Sequence, residues 1–121
     1  MSKKILILDD DADILDILSY LIKEEGYEIH ALAHGENIWE SLRTFSPDLV
    51  LMDLMLADLD GRSICRGIKE NPATSHIPVI MISARPDLMQ SFTGTGAPDE
   101  FVAKPFDIDN LLSKVKKHLQ G

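Results

Sequence analysis

The sequence predicts an α/β fold in which helices cover both faces of a parallel sheet. Short apolar runs alternate along the chain with longer segments whose apolar residues recur at helical spacing. The runs are apolar at nearly every position, which is typical of parallel strands buried on both faces. Strand and helix repeat five times, so we expect right-handed crossovers to join the strands.

Five segments are predicted to be strands. Leu49–Met52 is a continuous apolar run that ends at Asp53. Glu28–Ala33 is less apolar, which places it nearer an edge of the sheet. The other predicted strands are Lys4–Leu8, Ile77–Ile82 and Glu100–Ala103. For a chain of this size we expect a flavodoxin-like, doubly wound sheet with the strand order 2-1-3-4-5.

The first three predicted helices follow the first three strands. Asp10 or Asp11 caps the first of them, and Gly26 provides a natural stop. The second and third helices are predicted over Glu36–Phe45 and Gly61–Glu70. Apolar residues of the second helix recur at core spacing, and its predicted buried side is formed by Ile38, Trp39, Leu42 and Phe45.

Two further helices bring the predicted total to five. A short helix is predicted over Asp87–Phe92, although the glycines and threonines that follow it are poor helix formers. Asp107 caps the last helix. Its residues at core spacing are Ile108, Leu111, Leu112, Val115 and Leu119.

Composition limits the classes of function. The 121 residues suit one domain, 1–121, and their net charge of −8 argues against direct binding of nucleic acid. No apolar segment is long enough to span a bilayer, and the N-terminus lacks the pattern of a signal peptide, so we expect a cytoplasmic protein. Cys65 is the only cysteine, which excludes an internal disulfide and suggests a buried, inert thiol.

Polar side chains follow four of the predicted strands. Asp9 and Asp10 end the first strand, Asp53 the third, Ser83 the fourth and Lys104 the fifth. In the order 2-1-3-4-5 these strands are neighbours, and their carboxyl ends lie along the same edge of the sheet. Ligands of such sheets collect at that edge. We therefore expect three carboxylates, a hydroxyl and an ammonium group to meet there.

The chemistry of these side chains favours a cation and a phosphoryl group. Three close carboxylates repel each other unless a cation is present. Oxygen ligands without histidine or cysteine favour a hard ion, Mg²⁺ or Mn²⁺. A carboxylate nucleophile beside a cation, a lysine and a hydroxyl donor is suited to phosphoryl transfer, which depends on positioning and charge neutralisation.

The chain resembles the receiver domains of bacterial two-component response regulators over nearly its whole length. The resemblance rests on five motifs in the expected order, namely Ile5–Asp11, Asp48–Asp53, Asp60-Gly61, Ile82–Ala84 and Lys104–Phe106. Each motif is weak by itself, but the five together are specific.

The resemblance implies that Asp53 accepts a phosphoryl group from a sensor histidine kinase or a histidine phosphotransfer protein. It also implies that Asp10, Asp53 and the backbone carbonyl of Met55 bind Mg²⁺, while Asp9 acts chiefly through water. The domain would catalyse its own phosphotransfer and dephosphorylation without being an enzyme in the usual sense.

The resemblance further implies a conformational switch. Ser83 would donate a hydrogen bond to the phosphoryl group, Lys104 would pair with Asp53 and then with a phosphoryl oxygen, and Phe101 would swing inward. A downstream protein or a fused output domain would recognise the altered surface, and a homodimer could form on phosphorylation.

Two alternatives belong to other classes of function. The first is an interaction module with the same fold that no longer cycles phosphate, which the unusual composition of residues 85–96 suggests. The second is a phosphohydrolase with an aspartate nucleophile. Such enzymes typically carry another aspartate two residues later, where this chain has Met55, so the second alternative is disfavoured.

Overall fold

The computed structural model describes residues 2–56, 59–85, 87 and 96–120. Within these residues, five parallel strands form one sheet in the predicted order β2-β1-β3-β4-β5. The strands are β1 (Lys4–Leu8), β2 (Glu28–Leu32), β3 (Leu49–Asp53), β4 (Val79–Ser83) and β5 (Glu100–Ala103). The less apolar β2 lies at an edge, as its composition indicated.

The described residues contain four α-helices, α1 (Ala12–Glu24), α2 (Ile38–Phe45), α3 (Gly61–Glu70) and α4 (Ile108–Leu119). The predicted short helix Asp87–Phe92 lies outside the described residues except for Asp87. None of the described helices is long and apolar enough to cross a membrane.

Several predicted boundaries move by one or two residues. A 3₁₀ turn over Gly35–Asn37 precedes α2, so this helix begins at Ile38 and not at Glu36. β4 begins at Val79 and not at Ile77. Pro78 has no N–H group to donate to a neighbouring strand, which explains the later start.

Aspartates begin three of the helices, and the caps of the first and last helices were predicted. The Asp11 carboxylate accepts hydrogen bonds from the first turn of α1, and those of Asp60 and Asp107 do the same for α3 and α4. These carboxylates satisfy N–H groups that have no partner within the helix and favour the positive end of its dipole. The caps thus fix where each helix leaves the carboxyl edge of the sheet.

The two faces of the sheet carry separate cores because successive strand residues point to opposite sides. On one side α2 and α3 cover the sheet, and on the other side α1 and α4 cover it. The central strands contribute Leu6, Leu8, Val50 and Met52 to the first core, and Ile5, Ile7, Leu49 and Leu51 to the second. The prediction of helices on both faces is therefore confirmed.

Two residues assigned to the core are more exposed than predicted. Trp39 is 43% exposed, because the indole leans outward across α3 and covers Gly67. Ile108 is also 43% exposed, since it is the first residue of α4 and precedes the turns that pack on the sheet. Cys65 is buried as predicted, and burial raises the pKa of its thiol to about 11, which keeps it unreactive.

Candidate functional site

Three carboxylates meet at the carboxyl edge of the sheet, as the strand order requires. One carboxylate oxygen from each of Asp9, Asp10 and Asp53 lies within 4.8 Å of the others. Asp9 and Asp53 are buried, whereas Asp10 reaches solvent. The cluster therefore has a buried floor and one side open to small molecules.

The Asp53 carboxylate is held by a donor on each oxygen. The Met55 N–H donates to Oδ1 at 3.0 Å, and the Lys104 ammonium group donates to Oδ2 at 2.8 Å. The side chain of Asp53 is 9% exposed, so little else competes for these contacts. Its orientation is thus set before any ligand arrives.

Asp9 forms the floor of the cluster. The Asp11 N–H donates to its Oδ1 at 2.9 Å, and Lys104 Nζ lies 3.3 Å from its Oδ2. Burial disfavours the charged carboxylate, and the negative charge of Asp53 acts in the same direction. These effects outweigh the two donors and raise the pKa of Asp9 above its usual value.

Lys104 is the cation that joins the ends of three strands. It follows β5, its N–H donates to the Ser83 carbonyl at 2.8 Å, and its ammonium group bridges Asp9 and Asp53. Burial disfavours the charged ammonium, but the hydrogen bond from it to Asp53 and the nearby carboxylates prevail. The pKa of Lys104 is therefore raised, and the side chain stays charged.

The predicted switch residues lie on the two strands beside the cluster. The Ser83 side chain is fully buried, and its hydroxyl accepts from the Arg85 N–H at 2.9 Å while lying 3.3 Å from the Arg85 carbonyl. Phe101 pairs with Met81 across β4 and β5 and is partly buried against the core below α2 and α3. The roles given to Ser83 and Phe101 in a switch stay predictions.

The segment after β3 returns tightly to the sheet before α3. The Gly61 N–H donates to the Leu54 carbonyl at 2.9 Å, and Met55 and Asp60 form an isolated antiparallel bridge. A Cβ atom at Gly61 would lie 2.6 Å from the Asp53 carbonyl oxygen, a distance that only glycine permits. The sequence analysis assigned no role to Gly61 of the Asp60-Gly61 motif. The structure shows that a glycine is needed there because the backbone passes close to Asp53.

The donor set fits a hard divalent cation. Three carboxylates face one ammonium group, so the cluster carries an excess negative charge of two when all are ionised. Its ligands are all oxygens, and Mg²⁺ typically uses one or two carboxylates with waters completing the shell. The carboxylates of Asp9, Asp10 and Asp53 are close enough together to hold such an ion. The share of the binding expected of the Met55 carbonyl stays a prediction.

The fold and this site define a class of doubly wound α/β proteins whose acidic cluster lies beyond the central strands. The chain belongs to the response regulator receiver domain family, because the model of that family matches residues 5–116. These residues include β1 from its second residue onward, the other four strands and all three clustered aspartates.

Solved structures agree with this assignment. The signal receiver domain of a signal transduction histidine kinase from Syntrophus aciditrophicus is 30% identical, with a TM-score of 0.87 over 98% of this chain and 90% of that one. A response regulator signal receiver domain from Bermanella marisrubri is 26% identical, with a TM-score of 0.86 over 99% and 100%. The chemotaxis response regulator CheY4 of Vibrio cholerae shares the fold at 21% identity, with a TM-score of 0.88 over 98% and 100%.

Proposed function

We propose that the domain accepts a phosphoryl group on Asp53 from a histidine kinase or a histidine phosphotransfer protein. The observation that carries the proposal is the Asp53 carboxylate, fixed by Lys104 and by the Met55 N–H beside two more carboxylates. A nucleophile in a fixed orientation next to opposite charge is what phosphoryl transfer requires of a protein.

The chemical step uses the residues as they stand. An Asp53 oxygen forms a bond to phosphorus while the bond from phosphorus to the donor nitrogen breaks, and the electron pair of that bond leaves with the imidazole. The Lys104 ammonium group, which donates to the Asp53 carboxylate, can instead donate to a phosphoryl oxygen while it stays within the cluster. Its side chain is 16% exposed, so water screens this interaction only weakly.

The cation belongs to the same proposal. When bound, Mg²⁺ supplies charge neutralisation for the entering phosphoryl oxygens. Asp9 and Asp10 contribute the negative charge that favours the ion. The hydrogen bond from the Asp11 N–H orients Asp9 without the ion.

Signal output is proposed to begin at Ser83. Its hydroxyl donates to the Arg85 carbonyl, so a hydrogen bond to a phosphoryl group would redirect the hydroxyl proton away from that carbonyl. Arg85, which follows β4, would then keep only the hydrogen bond from its N–H to Ser83. Phe101 lies on the adjacent strand and could then repack, which biases a two-state surface that a downstream protein or output domain recognises.

The relatives support signalling by phosphotransfer. One structural neighbour is a receiver domain within a signal transduction histidine kinase, and another is a response regulator. Self-catalysed dephosphorylation, in which water attacks the aspartyl phosphate, forms part of the proposal because the same charges would stabilise that transition state.

Substitution of Asp53 tests the proposal. Incubation with Mg²⁺ and a small phosphodonor such as phosphoramidate should add one phosphoryl group that hydroxylamine removes, as measured by intact-protein mass spectrometry. Asp53→Asn should abolish labelling. Asp48→Asn is the matched control and should be labelled normally. Asp48 is an exposed aspartate immediately before β3, and its carboxylate accepts from the Lys4 N–H.

Two results would contradict the proposal. Equal labelling of Asp53→Asn would place the acceptor elsewhere. No labelling of the unsubstituted protein, together with no Mg²⁺ binding, would favour the interaction module that does not use phosphate.

A further inference from the structure

A contact outside the acidic cluster joins two loops at the carboxyl edge of the sheet. Gly35, at the start of the 3₁₀ turn before α2, is buried beneath the side chain of Leu59. A Cβ atom at position 35 would lie 2.9 Å from Leu59 Cδ1 and 3.2 Å from Ile64 Cδ1. Leu59 therefore rests directly on the backbone of the loop that follows β2.

The sequence motifs and the role proposed for the cluster leave this contact unexplained. Leu59 is 40% exposed, so its burial contributes only part of what a core leucine would give. It belongs, however, to the segment between β3 and α3 that contains Met55. That segment is fixed at its base by Gly61, through the hydrogen bond from the Gly61 N–H to Leu54 and the close approach to Asp53.

We propose that Leu59 and Gly35 position the segment after β3, so that Met55 presents its N–H to Asp53 and its carbonyl to the cation. Leu59 is held against Gly35, the adjacent Asp60 pairs with Met55 in the antiparallel bridge, and Gly61 is held against Asp53 and Leu54. Neither Leu59 nor Gly35 would touch the ion or the phosphoryl group, so both are positioning residues. The cation role of Met55 rests on the proposed function, whereas its hydrogen bond to Asp53 is independent of that function.

The physical reason lies in the geometry that the cation demands. Mg²⁺ tolerates little departure from octahedral ligand positions. A shift of a few tenths of an ångström in the Met55 carbonyl would therefore weaken binding, even if every carboxylate stayed in place. Groups that support metal ligands without touching the metal typically change affinity by about 10- to 100-fold.

Two substitutions test the contact from its two sides. Leu59→Ala removes the side chain, and Gly35→Ala displaces it with a methyl group. Each should weaken Mg²⁺ binding by about tenfold, the low end for supporting groups, measured by calorimetric titration. Each should also shift the Met55 amide resonance in the metal-free protein toward that of a weaker hydrogen bond. The second measurement requires neither the ion nor phosphotransfer.

The double variant distinguishes a specific effect of the Leu59–Gly35 contact from a general loss of stability. If Leu59 transmits the effect, Gly35→Ala should add little to the effect of Leu59→Ala on Mg²⁺ affinity and on the Met55 resonance, because the methyl group then meets only Ile64 of α3 and no longer Leu59 Cδ1. Gly67→Ala is the matched control. A Cβ atom there would lie 2.5 Å from Trp39, so it disturbs the packing of the same two helices, α2 and α3, at another point. It should lower stability while leaving Mg²⁺ affinity and the Met55 resonance unchanged.

The outcomes distinguish the two proposals. If the unsubstituted protein binds Mg²⁺ but both variants bind equally well with an unmoved Met55 amide, the positioning role is wrong and the proposed function stands. Strictly additive effects of the two substitutions would also overturn it. If the unsubstituted protein binds no Mg²⁺, the cation site fails, while a coupled shift of the Met55 amide would still establish the positioning contact.

Discussion

Two partly buried lysines at opposite ends of the sheet pair with aspartates in very different ways. Lys69 lies at the end of α3, and its ammonium group contacts Asp99 at 2.6 Å and donates to the Ile77 carbonyl at 2.9 Å. The Val79 N–H donates to the same Asp99 oxygen at 2.8 Å. One positive and one negative charge are thus matched and hydrogen-bonded, and they tie α3 to the start of β4.

Lys104 makes the same kind of contact without reaching the same balance. It faces Asp9 and Asp53 directly, and Asp10 lies beside them. The comparison teaches that an ion pair stabilises the fold when its charges balance and its polar atoms are bonded, as at Lys69. Where acidic charge is in excess, as at Lys104, the carboxylates still repel each other, and a bound cation would add to the stability of the fold.

Replacing each lysine in turn should give the largest difference between the two sites, both in stability and in its response to Mg²⁺. Lys69→Met should destabilise the protein by about 2 kcal/mol, less than for a fully buried pair because Asp99 reaches solvent. Lys104→Met should also be destabilising without Mg²⁺. Mg²⁺ should stabilise Lys69→Met as much as it stabilises the unsubstituted protein. It should stabilise Lys104→Met more, because loss of the ammonium group leaves the carboxylate cluster more negative. Urea unfolding with and without Mg²⁺ measures both, and equal gains would contradict the comparison.

Neutralising the floor of the cluster should have a smaller effect of opposite sign. Asp9→Asn should stabilise the Mg²⁺-free protein by about 1 kcal/mol at neutral pH, the low end for replacing buried charge. The folded-state pKa of Asp9 is raised, so the folded protein holds this proton more tightly than the unfolded chain does and loses stability as pH rises between the two pKa values. The advantage of the variant should therefore be absent below about pH 3.8, the ordinary aspartate value, and grow as pH rises through the folded-state pKa. Urea unfolding at several pH values measures it. An advantage that does not change with pH would contradict this account.

The smallest effect is expected where β5 meets α4, at a partly exposed carboxylate that faces several basic side chains. Glu100 on β5 contacts His118 at 2.8 Å and Lys117 at 3.4 Å on α4. The hydrogen bond with His118 is the main cause of a lowered pKa for Glu100. Glu100→Gln should cost less than about 1 kcal/mol, because the carboxylate is partly exposed and solvent screens its contacts. The difference should be present above about pH 4.5 and disappear as pH falls through the lower folded-state pKa. Thermal unfolding against pH measures it, and Mg²⁺ should leave the difference unchanged.

Much of the fold and of the acidic cluster was predictable because short stretches of sequence determine them. The apolar run before Asp53 could form only a buried strand, and the strand order then brought Asp9, Asp10 and Lys104 to the same edge. The caps at Asp11 and Asp107 were equally local, since a carboxylate and the next few N–H groups are enough to form them. Such features need no knowledge of distant parts of the chain.

The features that escaped prediction depend on contacts between residues far apart in the sequence. Nothing in the sequence around Gly35 indicates that Leu59 covers it, and the matching of Lys69 to Asp99 across 30 positions has no local pattern. The exposure of Trp39 was missed for the same reason, because helical spacing alone could not show that Gly67 leaves room for the ring on α3. The engagement of Ser83 by the Arg85 backbone likewise required the structure.

The position of Trp39 gives the protein an optical reporter. It is the only tryptophan in the chain, so the intrinsic fluorescence above the tyrosine range comes from one indole. That ring is half in water and lies over Gly67, which makes its emission sensitive to the separation of α2 and α3. A red-shifted spectrum would therefore record the opening of this helix pair without any attached dye.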